Sequence, residues 1–252
     1  MADLIDNPVI NSPFEEPRRH FRFTDDGITD EIAPGRRRST YFIPIAKPKL
    51  KGAQKQTALD LGTQHRAEEN KLINDLRGRV AHWRQAGRPY TTSVTRRLLD
   101  YWTRPDRERR LFFCQIEAVE TIIYLTEIAP RHDANHGTFL LERFKQANAG
   151  ATPDSHATLP RYAAKMATGS GKTVVMGMLL AWQALNKLAN RQDQRFSDAF
   201  LIVSPGITIR DRLRVLLPSD PNNYYQQLDL LPPSLREELG QAKVAILNYH
   251  AF

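Results

Sequence analysis

One short stretch limits the fold of this chain more than any other, the run from Met166 to Thr173 with the letters MATGSGKT. Gly169 and Gly171 let the backbone turn tightly and approach an anion, because neither residue carries a Cβ. The helix predicted from Gly171 onward would point its unsatisfied N–H groups and the positive end of its dipole at the same place. This combination is typical of a phosphate-binding loop.

The residue types assign roles within this phosphate loop. Lys172 is placed to reach the β- and γ-phosphates of a nucleotide, and the Thr173 hydroxyl is placed to ligate Mg²⁺. A short strand, Arg161–Met166, is expected to lead into the loop. Met166 stands where the general pattern has its first glycine, so a chance turn before a helix is the alternative. The predicted nucleotide contacts in the loop are Met166, Ala167, Thr168, Gly169, Ser170, Gly171, Lys172 and Thr173.

Downstream of the loop, two apolar runs predict buried parallel strands, Phe200–Ser204 and Val244–Asn248. A helix is expected near 207–216, and a second one opened by Ser234, with Glu237 three residues later as a capping-box partner. Alternating strands and helices predict a parallel sheet with helices on both faces.

The region before the loop divides into two parts. Prolines interrupt residues 1–60, which we expect to form an extended, partly disordered arm with a short edge strand at Tyr41–Ile45. Residues 61–160 are predicted to be mainly helical and to end in a linker, with helices at about 64–86, 92–102 and 138–147 and another beginning near Gln115. Residues 161–252 form the third predicted part.

The net charge and the cysteine content bear on the partners and the cellular compartment of the chain. The net charge is +8, and residues 61–110 hold twelve Lys or Arg against six Asp or Glu. The arginine-rich helix faces fit either a DNA-facing surface or an ordinary solvated one. The single cysteine rules out an intrachain disulfide. No signal peptide and no membrane-length apolar run is evident, so a cytoplasmic protein without a membrane partner is predicted.

Gln115 follows Phe112-Phe113 and precedes the loop in sequence. Its side-chain amide can both donate to and accept from an adenine edge, although a glutamine at a helix start is often only a polar cap. Two other clusters favour simpler explanations than a metal site. Asp25, Asp26, Asp30 and Glu31 suit a solvated acidic turn, and His132, His136 and His156 lie in loop-like sequence without cysteines.

Four segments in this order resemble the motifs of one family. Phe112–Ala118 resembles the Q motif of superfamily 2 helicases, and Lys165–Thr173 resembles motif I, in a form where the first glycine is often replaced. Ile202–Leu213 resembles motif Ia, and Ile246–Phe252 resembles the Asn-Tyr-His segment that precedes motif II. The whole is similar to the N-terminal part of the DEAD/DEAH-type helicase (Res) subunit of type III restriction endonucleases.

The resemblance implies a P-loop NTPase with a RecA-like parallel sheet, apparently incomplete, preceded by a mainly helical and extended region. It implies ATP and Mg²⁺ as cofactors, double-stranded DNA as a partner and a modification methyltransferase subunit as a second partner. Gln115 would read adenine. DNA would be contacted by Ser204, Pro205, Gly206, Arg210, Asn248, Tyr249 and His250.

The departure from this family lies in the catalytic carboxylates. No Asp-Glu pair ends an apolar strand after residue 200, and no second motor domain or nuclease motif is found in the sequence. We therefore expect ATP- and DNA-binding by part of a restriction-type translocase, truncated before motif II, with poor ATPase activity by this chain alone. The alternatives are a non-catalytic basic fragment that binds nucleic acid or a partner, and a different P-loop enzyme such as a small-molecule kinase.

Overall fold

The computed structural model describes residues 8–24, 27–44, 65–132, 134–148 and 161–251. The chain forms two compact units, Met1–Gly78 and Arg79–Phe252.

The described part of the first unit contains two antiparallel pairs of strands. Strand β1 (Arg19–Thr24) pairs with β2 (Gly27–Pro34). Strand β3 (Thr40–Pro44) pairs with β4 (His65–Glu69). The predicted edge strand at Tyr41 is therefore present, but the arm contains more strand than the sequence suggested.

Helix α1 (Lys71–Gln85) begins later than residue 64, where the sequence placed its start. Asn70 explains the correction, because its side-chain oxygen accepts a hydrogen bond from the backbone N–H of Ile73 at 3.3 Å. This is the geometry of a helix cap, and it ends the strand and starts the helix at the same residue.

Four further helices surround the core of the second unit: α2 (Ser93–Thr103), α3 (Phe113–Ile123), α4 (Ala134–Asn148) and α5 (Lys172–Ala189). Thr92 caps α2, because its hydroxyl accepts from the N–H of Thr95 at 3.0 Å. A π-helical turn, Tyr124–Ile128, continues α3. Such a turn widens the helix locally and is frequent at functional sites.

Helix α5 runs through the apolar core. It contacts α2 and α3, and its buried side chains include Met178, Trp182 and Leu185. Trp102 from α2 and Ile123 from α3 are buried beside them at 2% exposure or less. Nine of the eighteen residues of this helix, which begins at the phosphate loop, are buried.

The second unit also contains a parallel pair of strands. Strand β5 (Ala199–Ser204) pairs in parallel with β6 (Lys243–Asn248), with Ser204 opposite Asn248. Both strands match the prediction. The chain is thus a mixed α/β protein with small sheets, one of them a parallel pair.

Two sequence-based expectations about this sheet are wrong. Residues 161–166 are irregular and mostly exposed and form no strand. One face of the parallel pair is uncovered, with Leu201, Val203 and Leu247 exposed at 55%, 50% and 38%. A strand needs a hydrogen-bonding neighbour, and in the described ranges β5 and β6 pair only with each other.

Short helices join β5 to β6: α6 (Ile207–Arg212), which continues as a 3₁₀ turn to Leu216, α7 (Tyr224–Gln227) and α8 (Pro233–Leu239). The predicted capping box of α8 is wrong. Pro233 begins the helix, a position that suits its fixed φ and missing N–H. The Ser234 hydroxyl instead accepts from Arg97 Nη2 at 2.8 Å.

Within the described ranges, no helix combines the length and the apolar character that a membrane crossing requires.

Candidate nucleotide site and nucleic-acid surface

The phosphate loop adopts the turn that its glycines allow. Gly169 and Gly171 have φ of +78° and +81°, in the left-handed region that favours glycine. Ser170 closes the turn, since its hydroxyl donates to the carbonyl oxygen of Ala167 at 2.7 Å. Gly171 then stands directly before α5, so the loop ends on a helix N-terminus.

Lys172 folds back over the loop. Its Nζ donates to the carbonyl oxygen of Met166 at 3.2 Å and to that of Ala167 at 2.9 Å. An ammonium group held in this way brings positive charge to the concavity formed by the loop backbone, where an anion would bind. Thr173 follows in the first turn of α5 and is only partly buried.

Gln115 contacts the phosphate loop directly. Its Nε2 donates to the carbonyl oxygen of Ser170 at 3.0 Å, and its Oε1 accepts from the backbone N–H of Phe112 at 2.9 Å. The side chain is 5% exposed. Both ends of the amide therefore have protein partners, and reading an adenine edge would require one of these bonds to be exchanged.

The space between Gln115 and the loop is narrow. A Cβ placed on Gly171 would overlap Gln115 Nε2, whereas one placed on Gly169 would meet nothing within 4 Å. The second glycine of the loop is thus required both by its φ and by the close approach of Gln115.

Cys114 lies beside the same loop. Its Sγ is 4.0 Å from the carbonyl oxygen of Ser170. Partial burial raises the pKa of the Cys114 thiol above its usual value, so the sulfur is neutral at pH 7. It therefore adds no negative charge that would repel a phosphate.

A buried polar cluster, which we call the anchor network, fixes α5 against its neighbours. Its members are Thr92, Thr95, Glu127, Trp182 and Asn186. The fully buried Glu127 accepts from Thr95 Oγ1 at 2.6 Å, from Trp182 Nε1 at 2.8 Å and from the N–H of Thr92 at 2.9 Å. Asn186 Nδ2 donates to Thr95 Oγ1 at 3.0 Å.

The anchor network and the Gln115 contact lie at two points along the same pair of helices. Glu127 is twelve residues beyond Gln115, and Trp182 is eleven residues beyond Gly171. Because a helix rises about 1.5 Å per residue, each separation is roughly 17 Å. Helices α3 and α5 are therefore fastened together both at the phosphate loop and well away from it.

Sequence reasoning missed Glu120 and Glu127, although one signal marked them. Both fall in register with the apolar stripe of α3 that includes Ile116 and Ile123. Ionisable residues in such a stripe are seldom buried without partners. Glu120 is also fully buried, and it pairs with Arg84 at 2.6 Å and with Arg88 at 2.7 Å.

Many arginines of the basic segment, residues 61–110, form hydrogen bonds or ion pairs within the protein. Arg107 is 5% exposed and donates to the carbonyl oxygens of Leu228 and Asp229, and Arg104 pairs with the Asp229 carboxylate at 2.7 Å. At least six of the arginines between residues 77 and 110 have hydrogen-bond partners within the protein, among them Arg84, Arg88, Arg97, Arg104, Arg107 and Arg109. The charge count of the sequence thus overstates the basic surface offered to a ligand.

The residues predicted to face DNA gather at one edge of the parallel pair, and we call them the strand-end group. Ser204 and Asn248 lie opposite each other at the carboxyl ends of β5 and β6. Pro205, Gly206 and Arg210 follow the first, and Tyr249 and His250 the second.

Their accessibility differs. The Ser204 side chain is buried and donates to the carbonyl oxygen of Gly206 at 3.1 Å. The Asn248 oxygen accepts from the N–H of His250 at 3.0 Å. The exposed members are Pro205, Tyr249, at 50%, and His250. The rings of Tyr249 and His250 lie 3.8 Å apart. Arg210 pairs with the neighbouring Asp211 at 2.9 Å.

Metal donors are sparse. The described residues contain no group of three or more His, Cys, Asp or Glu that could hold a metal ion. Asp25, Asp26 and His156, and the side chain of His136, lie outside what the structure describes, so those clusters stay untested. The residues of the loop fit phosphate, and Thr173 supplies a single hydroxyl next to it for a nucleotide-bound Mg²⁺.

No match was found when the chain was compared with models of protein families, with curated proteins and with solved structures.

Proposed function

We propose that this chain binds ATP with Mg²⁺ through the phosphate loop, as part of a DNA motor of the superfamily 2 helicase type. The observation that carries the proposal is the loop itself. Two left-handed glycines, a lysine folded over the loop carbonyls and a following eighteen-residue helix together supply the N–H groups, the positive charge and the dipole that phosphates need.

In this proposal each residue has a defined task. The backbone from Met166 to Gly171 surrounds the phosphates, Lys172 exchanges its carbonyl partners for β- and γ-phosphate oxygens, and Thr173 contacts Mg²⁺. Gln115 reads the adenine edge after releasing one of its present partners. Its contact with the Ser170 carbonyl supports a position within reach of the nucleotide.

The proposed DNA side is the strand-end group. In parallel sheets, ligands bind beyond the carboxyl ends of strands, where Ser204 and Asn248 lie. The parallel pair suits a RecA-like domain, and the order of the four sequence motifs suits a subunit similar to that of type III restriction endonucleases. Double-stranded DNA and a modification methyltransferase are then the proposed partners.

We propose binding without efficient hydrolysis by this chain alone. Strands β5 and β6 end in Ser204 and Asn248, and no strand that the structure describes after the phosphate loop ends in a carboxylate that could hold Mg²⁺ and orient water. DNA-stimulated turnover above about 1 s⁻¹, an ordinary enzyme rate, would contradict this part of the proposal.

Titration of the purified chain with a fluorescent ATP analogue tests the nucleotide site. We expect Lys172→Ala to weaken binding at least about tenfold, because a charged hydrogen-bond partner of the phosphates contributes roughly 1.5–3 kcal/mol. Lys165→Ala is the matched control, since Lys165 is exposed and lies just before the loop. Equal affinity in the two variants, or none in the unmodified chain, would reject the proposal.

The competing function, a basic fragment that binds nucleic acid or a partner by charge alone, has less support. The inward partners of Arg84, Arg88, Arg104 and Arg107 account for much of the charge on which that interpretation depended.

A further inference from the structure

The loop that joins α1 to α2 holds an unusual backbone. Gly87, Arg88 and Tyr90 have φ of +81°, +56° and +66°. A left-handed conformation costs a residue with a side chain about 1–2 kcal/mol. Arg88 and Tyr90 both adopt it within three residues, so the surrounding structure must hold them there.

Hydrogen bonds fix this loop from both sides. Arg88 pairs with the fully buried Glu120 at 2.7 Å, and Trp83 Nε1 donates to the carbonyl oxygen of Pro89 at 3.0 Å. On the other side of Tyr90, the N–H of Thr92 donates to the buried Glu127. The position of Tyr90 is therefore set by buried groups although its own ring is not buried.

The loop displays an aromatic ring to solvent. Tyr90 is 63% exposed, and its ring stacks on that of His132 with centroids 4.5 Å apart and planes 3° from parallel. The exposed Arg131 precedes His132 in the chain. We call Tyr90 and His132 the aromatic platform.

The aromatic platform is separate from the nucleotide site. Ile128, the last residue of the π-helical turn that continues α3, lies thirteen residues beyond Gln115, and His132 follows in the next turn. At about 1.5 Å per residue, the helical part separates the platform from Gln115 by roughly 20 Å. A ligand on it is therefore not the adenine of the nucleotide that the loop would hold.

We propose that the aromatic platform stacks an unpaired base of single-stranded nucleic acid, with Arg131 close to an adjoining phosphate. Flat aromatic rings bind any base through its π-face, and a neighbouring arginine supplies the charge that the backbone requires. A preformed stacking surface needs a ring that is held in place and exposed. The strained backbone holds Tyr90 exposed, and the ring of His132 stacks against it. This site does not depend on the phosphate loop.

The test uses Tyr90→Gly, which removes the ring and also relieves the left-handed strain. We expect this variant to be at least as stable as the unmodified chain and to bind a fluorescent oligo(dT) about tenfold more weakly. An abasic oligomer of equal length should bind both proteins equally, because it keeps the phosphates and lacks the bases. Phe139→Ala, which removes another exposed ring at 62%, is the matched control and should bind oligo(dT) normally.

Three results would overturn the inference: oligo(dT) affinity unchanged in Tyr90→Gly, an equal loss for the abasic oligomer, or no binding of oligo(dT) by the unmodified chain. Binding of the ATP analogue by Tyr90→Gly should be unchanged. The platform and the nucleotide site can thus fail independently.

Discussion

At Gly171 one residue satisfies two requirements, a positive φ and a close approach to Gln115. Gly169 has the same backbone sign but open space where a Cβ would lie. The two glycines look equivalent in the motif and are not equivalent in the structure. Comparing them separates backbone strain from steric conflict.

We predict that Gly169→Ala costs about 1 kcal/mol, the strain of an alanine at positive φ. Gly171→Ala should cost more, because Gln115 must also leave the Ser170 carbonyl. Urea unfolding of both variants measures the difference. In a Gln115→Ala background the extra cost of Gly171→Ala should disappear, and its persistence would show that Gln115 is not the obstacle.

A second residue-scale prediction concerns pH. Arg195 donates to both oxygens of Asp193, the shortest bond being 2.6 Å, and this pairing lowers the pKa of Asp193 from 3.8 to about 2. Because the folded pKa lies below the unfolded one, the stabilisation is present above about pH 4 and is lost as the pH falls towards 2.

We expect Asp193→Asn to lower the free energy of unfolding by about 1 kcal/mol at pH 7, a value reduced for the partial exposure of the pair. Its stability should also change less than that of the unmodified chain between pH 4 and pH 2. Asp211→Asn, which removes a more exposed pair with Arg210, is the control. The same acid response in the unmodified chain and Asp193→Asn would contradict the assignment.

At the scale of the elements, the anchor network determines how α5 is held. Glu127 accepts three hydrogen bonds from α5, α2 and the residue before α2. All three groups are donors, so an acceptor-only carboxylate suits them and an amide does not. Glu127 lies in the π-helical turn that continues α3. This turn therefore carries the carboxylate that the three donors meet.

We predict that Glu127→Gln costs roughly 2–4 kcal/mol, because its NH₂ group would face donors and leave buried groups unpaired. Chemical denaturation measures this cost. Glu117→Gln, in the same helix but only partly buried, is the control and should cost less. A loss below about 0.5 kcal/mol in Glu127→Gln, the size of an ordinary surface change, would contradict the role assigned to the network.

Helix packing gives a further prediction. A Cβ on Gly137 in α4 would overlap the carbonyl oxygen of Ala129, whereas one on Gly78 in α1 would meet nothing within 4 Å. Gly137→Ala should therefore destabilise the chain, and Gly78→Ala should stabilise it by about 0.5–1 kcal/mol. Thermal unfolding reports both signs, and the same sign in both variants would refute the argument.

For the whole molecule, the distribution of charge matters more than its total. The net charge is +8, but at least six arginines of the basic segment bind groups within the protein. Each phosphate contact contributes about −0.9 to the slope of log K against log salt, so ten free arginines would give roughly −9. We predict a slope less than half as steep for duplex DNA.

Fluorescence anisotropy at increasing KCl concentrations measures this slope. Lys172→Ala should show the same slope without nucleotide, because in the unmodified chain Lys172 is bound to carbonyl oxygens of the phosphate loop. A slope near −9 would show that the inward arginines exchange their partners for DNA.

Much of this chain could be predicted from local sequence. Neighbours in the chain determine the turn at the glycines of the phosphate loop, the apolar periods of α2, α3 and α5, the cap at Thr92 and the strands β5 and β6. Steric freedom, side-chain periodicity and short-range hydrogen bonds act over a few residues. Their patterns can therefore be recognised before any fold is known.

Only the tertiary structure determined the rest. Gln115 meets Ser170 across 55 residues, Glu127 meets Trp182 across another 55, and the arginines turn inward to carboxylates and carbonyls far along the chain. Residues 161–166 form no strand, because a strand needs a hydrogen-bonded neighbour and the local sequence pattern does not supply one. A residue type states which bonds it can form, whereas packing decides which partner comes within reach.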